Sequence, residues 1–240
     1  MFMKKGLVII PTYNEAINIE RIIARILTIS PQLDVLVIDD HSPDHTGDIV
    51  EKMTQKNKRV QLRRRERKIG LGTAYVLGFQ HTLAQNYDFA FEMDADFSHN
   101  PDDLPRFIEL LDTYDLVIGS RYVNGVSVVN WPMKRLLLSY SACYFARVVT
   151  GIPVRDLTSG FKCYSRKALA AVDWQSFDVD GYGFQIQSVF SVYRARLRLK
   201  EIPIIFVERR AGESKMSRWI IWEAFWLVWK LRFKSVFGIK

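Results

Sequence analysis

The sequence has little from which to build a covalently stapled or metal-stapled scaffold. Its 240 residues include two cysteines, Cys143 and Cys163, which predicts reduced, partly buried thiols rather than a disulfide framework. The four histidines, His41, His45, His81 and His99, share no metal-ligand spacing with them. No glycine-rich turn follows the first strand-like run. Pro11-Thr12-Tyr13-Asn14-Glu15 stands there instead, and Gly70-Leu71-Gly72 follows a charged run without a third glycine at the right spacing. The dehydrogenase fingerprint is therefore absent, as is the G-x-x-x-x-G-K-[ST] phosphate loop. No apolar run approaches the ~20 residues that span a bilayer. Met1-Phe2-Met3-Lys4-Lys5 leads into a short strand-like segment rather than a secretory signal. Neither an internal repeat nor a low-complexity linker occurs. A soluble or peripheral protein of a reducing compartment is expected.

What is present is an ordinary folding composition, 48% hydrophobic and 25% charged, enough for a sizeable core. The formal net charge is +8, which calls for an anionic partner such as a phosphorylated small molecule or an anionic membrane. The run Arg63-Arg64-Arg65-Glu66-Arg67-Lys68 reads as a charged face. No nucleic-acid motif accompanies it, so nucleic acid is not an expected partner.

The first half alternates apolar runs with helical periodicity. Strands are expected at 6–10, 35–38, 60–62, 89–93 and 116–118. Helices are expected after Asn14 as N-cap, with Ile17, Ile19, Ile22, Ile23, Ile26 and Leu27 forming the apolar face, and at 44–55, 71–84 and 101–111. Such alternation implies an α/β fold with a mostly parallel central sheet flanked by helices. Ligands bind such sheets outside the carboxyl ends of their strands. Beyond it, helices are expected at 134–150, from Ser165 through Ala171, and at 184–195. Asp156 to Tyr164 reads as turn-like, Gly181-Tyr182-Gly183 as a hinge, and 199–207 as a final strand. Pro203 argues that this strand lies at an edge.

Phe89-Ala90-Phe91-Glu92-Met93-Asp94-Ala95-Asp96 carries the sharpest chemical signal. Residues two apart on a strand point the same way, so Asp94 and Asp96 converge just past its end. Such a pair suits a hard divalent cation, Mg²⁺ or Mn²⁺, completed by water and substrate phosphates.

Asp94-Ala95-Asp96, with Val8 to Glu15 and Val37 to Asp44, resembles the family-2 glycosyltransferases of Rossmann-like GT-A fold. Lys68 to Tyr75, Gly119-Ser120-Arg121-Tyr122-Val123, Asp156 to Phe161, Gly181 to Ile186 and Gly212-Glu213-Ser214-Lys215-Met216 narrow the likeness to polyprenol (dolichyl) phosphate mannose synthases. The resemblance runs from about Val8 to Met216. It implies inverting transfer of mannose from GDP-mannose to a polyprenyl monophosphate, with Mg²⁺ or Mn²⁺. It implies nucleotide contacts from Pro11, Tyr13, Glu15, Asp39, Asp40, Lys68, Gly70, Asp94, Arg209 and Lys215. Asp94 and Asp96 match the metal pair, and Ser98 stands where many relatives place a glutamine near the metal. Arg121, Arg135 and Ser139 match residues that grip the acceptor phosphate. Gln187 falls where relatives often carry an acid, which favours a mechanism without a general base. Two other readings stay open. One is the same fold with another donor, such as UDP-glucose, or with a carbohydrate acceptor. The other is an inactive subunit that binds nucleotide sugar or lipid phosphate.

A lipid acceptor requires contact with a bilayer. Trp219, Trp222, Trp226, Trp229 and Phe233 recur every three or four residues, beside Glu223, Lys230 and Lys234. On a helix they make one aromatic stripe, suited to the headgroup region. The alternative is a terminal helix packed on its own domain or on a partner. The expected division is a catalytic domain over 1–213 and an interfacial amphipathic helix over 214–240. Leu136 to Val149 is a second interfacial candidate. The expected site of action is the cytoplasmic face of a membrane, peripherally attached, with a membrane-anchoring partner subunit permitted but not required.

Overall fold

The computed structural model of the chain describes residues 4–177, 181–208 and 225–233. In chain order the elements are β1 (Gly6–Thr12), α1 (Ile19–Ile29), β2 (Leu33–Asp39), α2 (Thr46–Lys56), β3 (Val60–Arg64), α3 (Leu71–Ala84), β4 (Phe89–Glu92), α4 (Leu104–Ile108), β5 (Leu116–Ser120), β6 (Val128–Val129), α5 (Met133–Thr150), β7 (Lys162–Ser165), α6 (Arg166–Ala171), α7 (Gly181–Arg194), β8 (Leu199–Pro203) and β9 (Phe206–Val207). A further helical stretch covers 225–233.

Seven strands form one sheet in the order β3-β2-β1-β4-β7-β5-β8, and β6 pairs with β9 in a separate ribbon. Alternate residues of β1 serve opposite faces, as the pleat requires. Leu7 and Ile9 pack with α3, α6, α7 and the 225–233 helix. Val8 and Ile10 pack with α1 and α4. The central strands are thus buried on both sides, which is why they read as continuous apolar runs. The edge position expected from Pro203 is found, since β8 is the last strand of the sheet.

Several boundaries differ from the sequence reading. Asn14 does not cap α1. It adopts φ of 63°, a conformation asparagine tolerates, and the helix starts at Ile19. Ile17 consequently lies before the helix and is 87% exposed rather than on its apolar face. The segment expected to be turn-like contains β7, which runs antiparallel to both β4 and β5. It was not legible as a strand because it opens on a buried lysine, Lys162. The final strand is interrupted, with β8 in the main sheet and β9 in the ribbon. Gly181 begins α7 directly, at φ of 55°, so no hinge separates it from the helix.

Candidate active site

The parallel strands end along one rim. At the end of β2 the Asp39 carboxylate accepts hydrogen bonds from Thr12 Oγ1 (2.9 Å), Ser42 Oγ (2.5 Å) and the Ser42 amide (3.1 Å). Asp39 therefore ties the β1 and β2 ends together and is itself buried. Asp44 builds the adjoining turn, accepting from the Ala16 amide and from Thr46 Oγ1. Burial pushes its carboxyl upward, but these donors outweigh that and hold it below its ordinary range. Pro11, Tyr13 and Glu15 are half-buried on this rim.

The charged run holds a residue that the sequence reading missed. Arg64 pairs outward with Asp48 and Glu51, as a charged face should. Arg65 turns inward: its Nε meets Asp40, and its terminal nitrogens donate to Thr73 Oγ1 (2.7 Å) and the Gly70 carbonyl (2.8 Å). Arg65 thus clasps the loop that carries Lys68 and Gly70. That loop sets the Lys68 ammonium 4.4 Å from the Tyr13 ring centroid, an attraction of cation–π type. The expected nucleotide-side residues Tyr13, Asp40, Lys68 and Gly70 are brought together. Arg209 and Lys215 lie outside the described residues.

Past β4, the Ser98 amide donates to Asp96 Oδ1 (3.0 Å), and Phe97 takes φ of 59° to make that turn. Among the described residues no group of three or more His, Cys, Asp or Glu could by itself hold a metal ion. A cation here would need oxygen ligands from substrate phosphates and water, as Mg²⁺ and Mn²⁺ commonly take. The Ser98 hydroxyl is buried without a hydrogen-bond partner among the described residues, and such a group normally has one. Asp94, Asp96 and the uncommitted Ser98 oxygen are all hard donors, so the residues fit the expected ion.

Beneath the acidic pair lies a buried polar floor. Glu92, two residues before Asp94, faces Lys162 across the β4–β7 pair. Lys162 also meets Gln185 and Ser188 of α7. Burial pushes the Glu92 carboxyl up and the Lys162 ammonium down. His99 is buried and stacked on Phe161, and its Nδ1 accepts from the Asp94 amide (3.3 Å). Burial lowers its pKa to about 4, so it is neutral. Gly160 leaves room here. A Cβ on it would stand 3.8 Å from Asp94 Oδ2 and 3.9 Å from Gln185 Nε2.

The other half of the site is basic. Arg121 donates from Nε and Nη2 to the two oxygens of Asp156 (2.7 and 2.6 Å) and from Nη2 to Thr158 Oγ1 (2.8 Å). Burial opposes both charges, yet each holds the other ionised: the Arg121 pKa rises and that of Asp156 falls. Arg121 is therefore first a buried structural cation. Three of its N–H groups are committed, and its guanidinium faces the rings of Tyr122, Trp131 and Phe206. Tyr122 donates to Ser139 Oγ (2.8 Å). Arg135 lies 4.3 Å over the Trp131 ring and pairs with Glu208. The three expected acceptor-side residues, Arg121, Arg135 and Ser139, thus gather around Tyr122 and Trp131. Phe206 joins the halves, its ring touching both His99 and Trp131. Trp131, His99, Gln185 and Glu208 were not singled out from sequence. Only Glu92, an acid inside an apolar strand on the Asp94 face, offered a signal for the polar floor.

Along its length, α5 turns Met133, Leu137, Tyr140, Tyr144 and Val148 to the surface, each half or more exposed. Cys143, Ala146 and Thr150 face inward. Both cysteines are free and buried. The 225–233 helix is two-sided. Leu227, Val228 and Leu231 join the core, and Phe225 stacks on Phe145 of α5 at 5.0 Å. Trp226, Trp229 and Phe233 remain exposed. One face of this segment therefore packs on the domain, and the other is exposed. Trp219 and Trp222 lie outside the described residues. No described helix is long and apolar enough to cross a membrane.

Comparison with known proteins fits this geometry. Residues 7–173 match the family described as Glycosyl transferase family 2. The chain is 44% identical over 218 residues to an undecaprenyl-phosphate mannosyltransferase of Micrococcus luteus, covering 91% of this chain and 90% of that one. It is 42% identical to a polyprenol monophosphomannose synthase of Mycolicibacterium smegmatis, over 95% of this chain and 88% of that one. A dolichol-phosphate mannosyltransferase of Pyrococcus furiosus is 34% identical over 90% of this chain, which spans 60% of that longer protein. Among solved structures, glucosyl-3-phosphoglycerate synthase of Mycobacterium tuberculosis, in complex with Mn²⁺, UDP-glucose and phosphoglyceric acid, superposes with a TM-score of 0.69 at 20% identity. That match covers 94% of this chain and 80% of the other and identifies a shared GT-A fold. By the span of the family match and by identities sustained over nearly its whole length, the chain belongs to glycosyl transferase family 2.

Proposed function

We propose that this chain transfers mannose from GDP-mannose to a polyprenyl monophosphate, with inversion at the anomeric carbon. One observation carries the reading. The basic cluster around Arg135 and Ser139 opens the helix whose outer face is the exposed stripe Met133, Leu137, Tyr140, Tyr144 and Val148. An acceptor with an anionic head and a long apolar tail matches that layout end to end. The named activities of the bacterial relatives support it.

An acceptor phosphate oxygen attacks the anomeric carbon as the bond from that carbon to the diphosphate breaks. The attacking oxygen is already ionised near neutral pH, so it needs positioning more than a base, in keeping with Gln187 in place of an acid. Asp94, Asp96 and Ser98 would hold Mg²⁺ or Mn²⁺, which when bound neutralises charge on the departing nucleoside diphosphate. Tyr13, Lys68 and the Arg65-clasped loop would enclose the nucleotide. The α5 stripe and the outer face of the 225–233 helix would rest on the cytoplasmic surface of a membrane. The net charge of +8 favours anionic lipid there.

The test is a donor screen with polyprenyl phosphate, divalent metal and labelled GDP- and UDP-sugars. GDP-mannose should be consumed fastest, and Asp96→Ala should abolish turnover without unfolding the chain. Preferred use of a UDP-sugar, or full activity in Asp96→Ala, would overturn the donor or the metal assignment respectively.

A further inference from the structure

Arg135 and Arg121 both lie against the Trp131 ring, but they are not equivalent. Arg121 is buried and closed onto Asp156 and Thr158. Arg135 is only half-buried, and its counter-ion is a side chain from another element, Glu208. Glu208 is held at the end of the β6–β9 ribbon by its amide, which donates to the Val129 carbonyl (3.1 Å). The ring that both arginines approach carries an unmet demand. Among the described residues, the Trp131 Nε1–H is buried and finds no acceptor. An indole nitrogen can only donate, and a buried donor left unpaired is costly. Arg135 covers this ring, and Glu208 holds Arg135.

We infer that the Glu208 carboxylate is a stand-in on Arg135 for the acceptor's phosphate, and that the Trp131 indole N–H is a further donor to that phosphate. This rests on the proposed lipid-phosphate acceptor. A carboxylate and a phosphate monoester compete for the same guanidinium fork. The phosphate offers more terminal oxygens and more charge, so it can engage Arg135 and still leave an oxygen for the indole. As Arg135 leaves Glu208 for the incoming phosphate, the Trp131 N–H becomes accessible. Glu208 therefore tunes acceptor affinity downward, and Trp131 is a binding residue rather than only a packing one.

Two conservative variants of the full chain test this. Glu208→Gln removes the competing charge and keeps the shape. Trp131→Phe keeps a ring for Arg135 and removes the N–H. Titration calorimetry with farnesyl phosphate, a short prenyl monophosphate, reads the subsite without turnover. Glu208→Gln should bind it roughly two- to fivefold tighter, the scale of one partly exposed ion pair. Trp131→Phe should bind it roughly tenfold weaker, the scale of a hydrogen bond to a charged group, with an unchanged melting temperature. In the Arg135→Ala background, Glu208→Gln should have no effect. With polyprenyl phosphate and GDP-mannose, the same changes should appear in the acceptor KM and not in the donor KM. Weaker binding by Glu208→Gln, or wild-type binding by Trp131→Phe, overturns the inference. Failure of every form to bind farnesyl phosphate overturns the lipid-phosphate reading itself.

Discussion

Truncating Arg121 to alanine removes three charge-assisted hydrogen bonds at once and leaves the Asp156 carboxylate, fully buried, without its counter-ion. What remains to that carboxylate is the residue 121 amide (2.9 Å), a long hydrogen bond from the Thr158 hydroxyl (3.4 Å) and the weak Cys143 thiol contact. Breaking a buried ion pair from one side costs about 3–5 kcal/mol. For a chain of this size about 1 kcal/mol shifts the melting temperature by roughly 2–4 °C, so Arg121→Ala should melt roughly 6–20 °C below wild type. Differential scanning calorimetry measures this directly. Removing both charges, as Arg121→Met with Asp156→Asn, should recover much of the loss, because no lone buried charge remains. A chain that melts within 2 °C of wild type while losing only acceptor affinity would refute the structural role. It would return Arg121 to the purely phosphate-gripping part that its motif suggested.

Gly160→Ala should fold normally, since the added methyl meets its neighbours at 3.5–3.9 Å, ordinary contact distances. It should still lower turnover, because the methyl occupies the space between Asp94 and Gln185, and steady-state kinetics alongside a melting curve separates the two effects. Leu137→Glu or Tyr144→Glu replaces a side chain that is more than half exposed. Each should leave the melting temperature within the error of a surface change and reduce sedimentation with anionic liposomes by roughly tenfold, the worth of one buried apolar side chain. Deleting 218–240 is a poorer test, since it also strips Leu227, Val228 and Leu231 from the core. Asp156 has a folded pKa below its unfolded value. Its contribution is therefore complete above about pH 4 and lost as the pH falls through the lower folded value. The wild-type melting temperature should fall across that acid window, and Asp156→Asn should lack this component.

The layout of the rim was legible because its signals are local. Apolar strands ending in Asp39-Asp40 and in Asp94-Ala95-Asp96 announce both the sheet and the chemistry. What escaped depends on partners distant in sequence. Lys162 looks like a surface residue until β7 is inserted beside β4 and Glu92 meets it. Arg65 is one charge among several until Asp40 and Gly70 are placed around it. The Arg121–Asp156 pair closes across 35 residues, and no periodicity encodes it. Asn14 shows a different limit. Its short polar side chain suits both a helix cap and a left-handed turn, and the ends of β1 and β2 decide for the turn.

The stripe on α5 also bears on how rate depends on concentration. A chain resting on a bilayer along Met133, Leu137, Tyr140, Tyr144 and Val148 meets its acceptor by lateral diffusion in two dimensions. The quantity that saturates it is then the acceptor's mole fraction in the lipid, not its molarity in the tube. Diluting the acceptor with inert phospholipid at constant bulk concentration should slow turnover, while adding buffer volume should not.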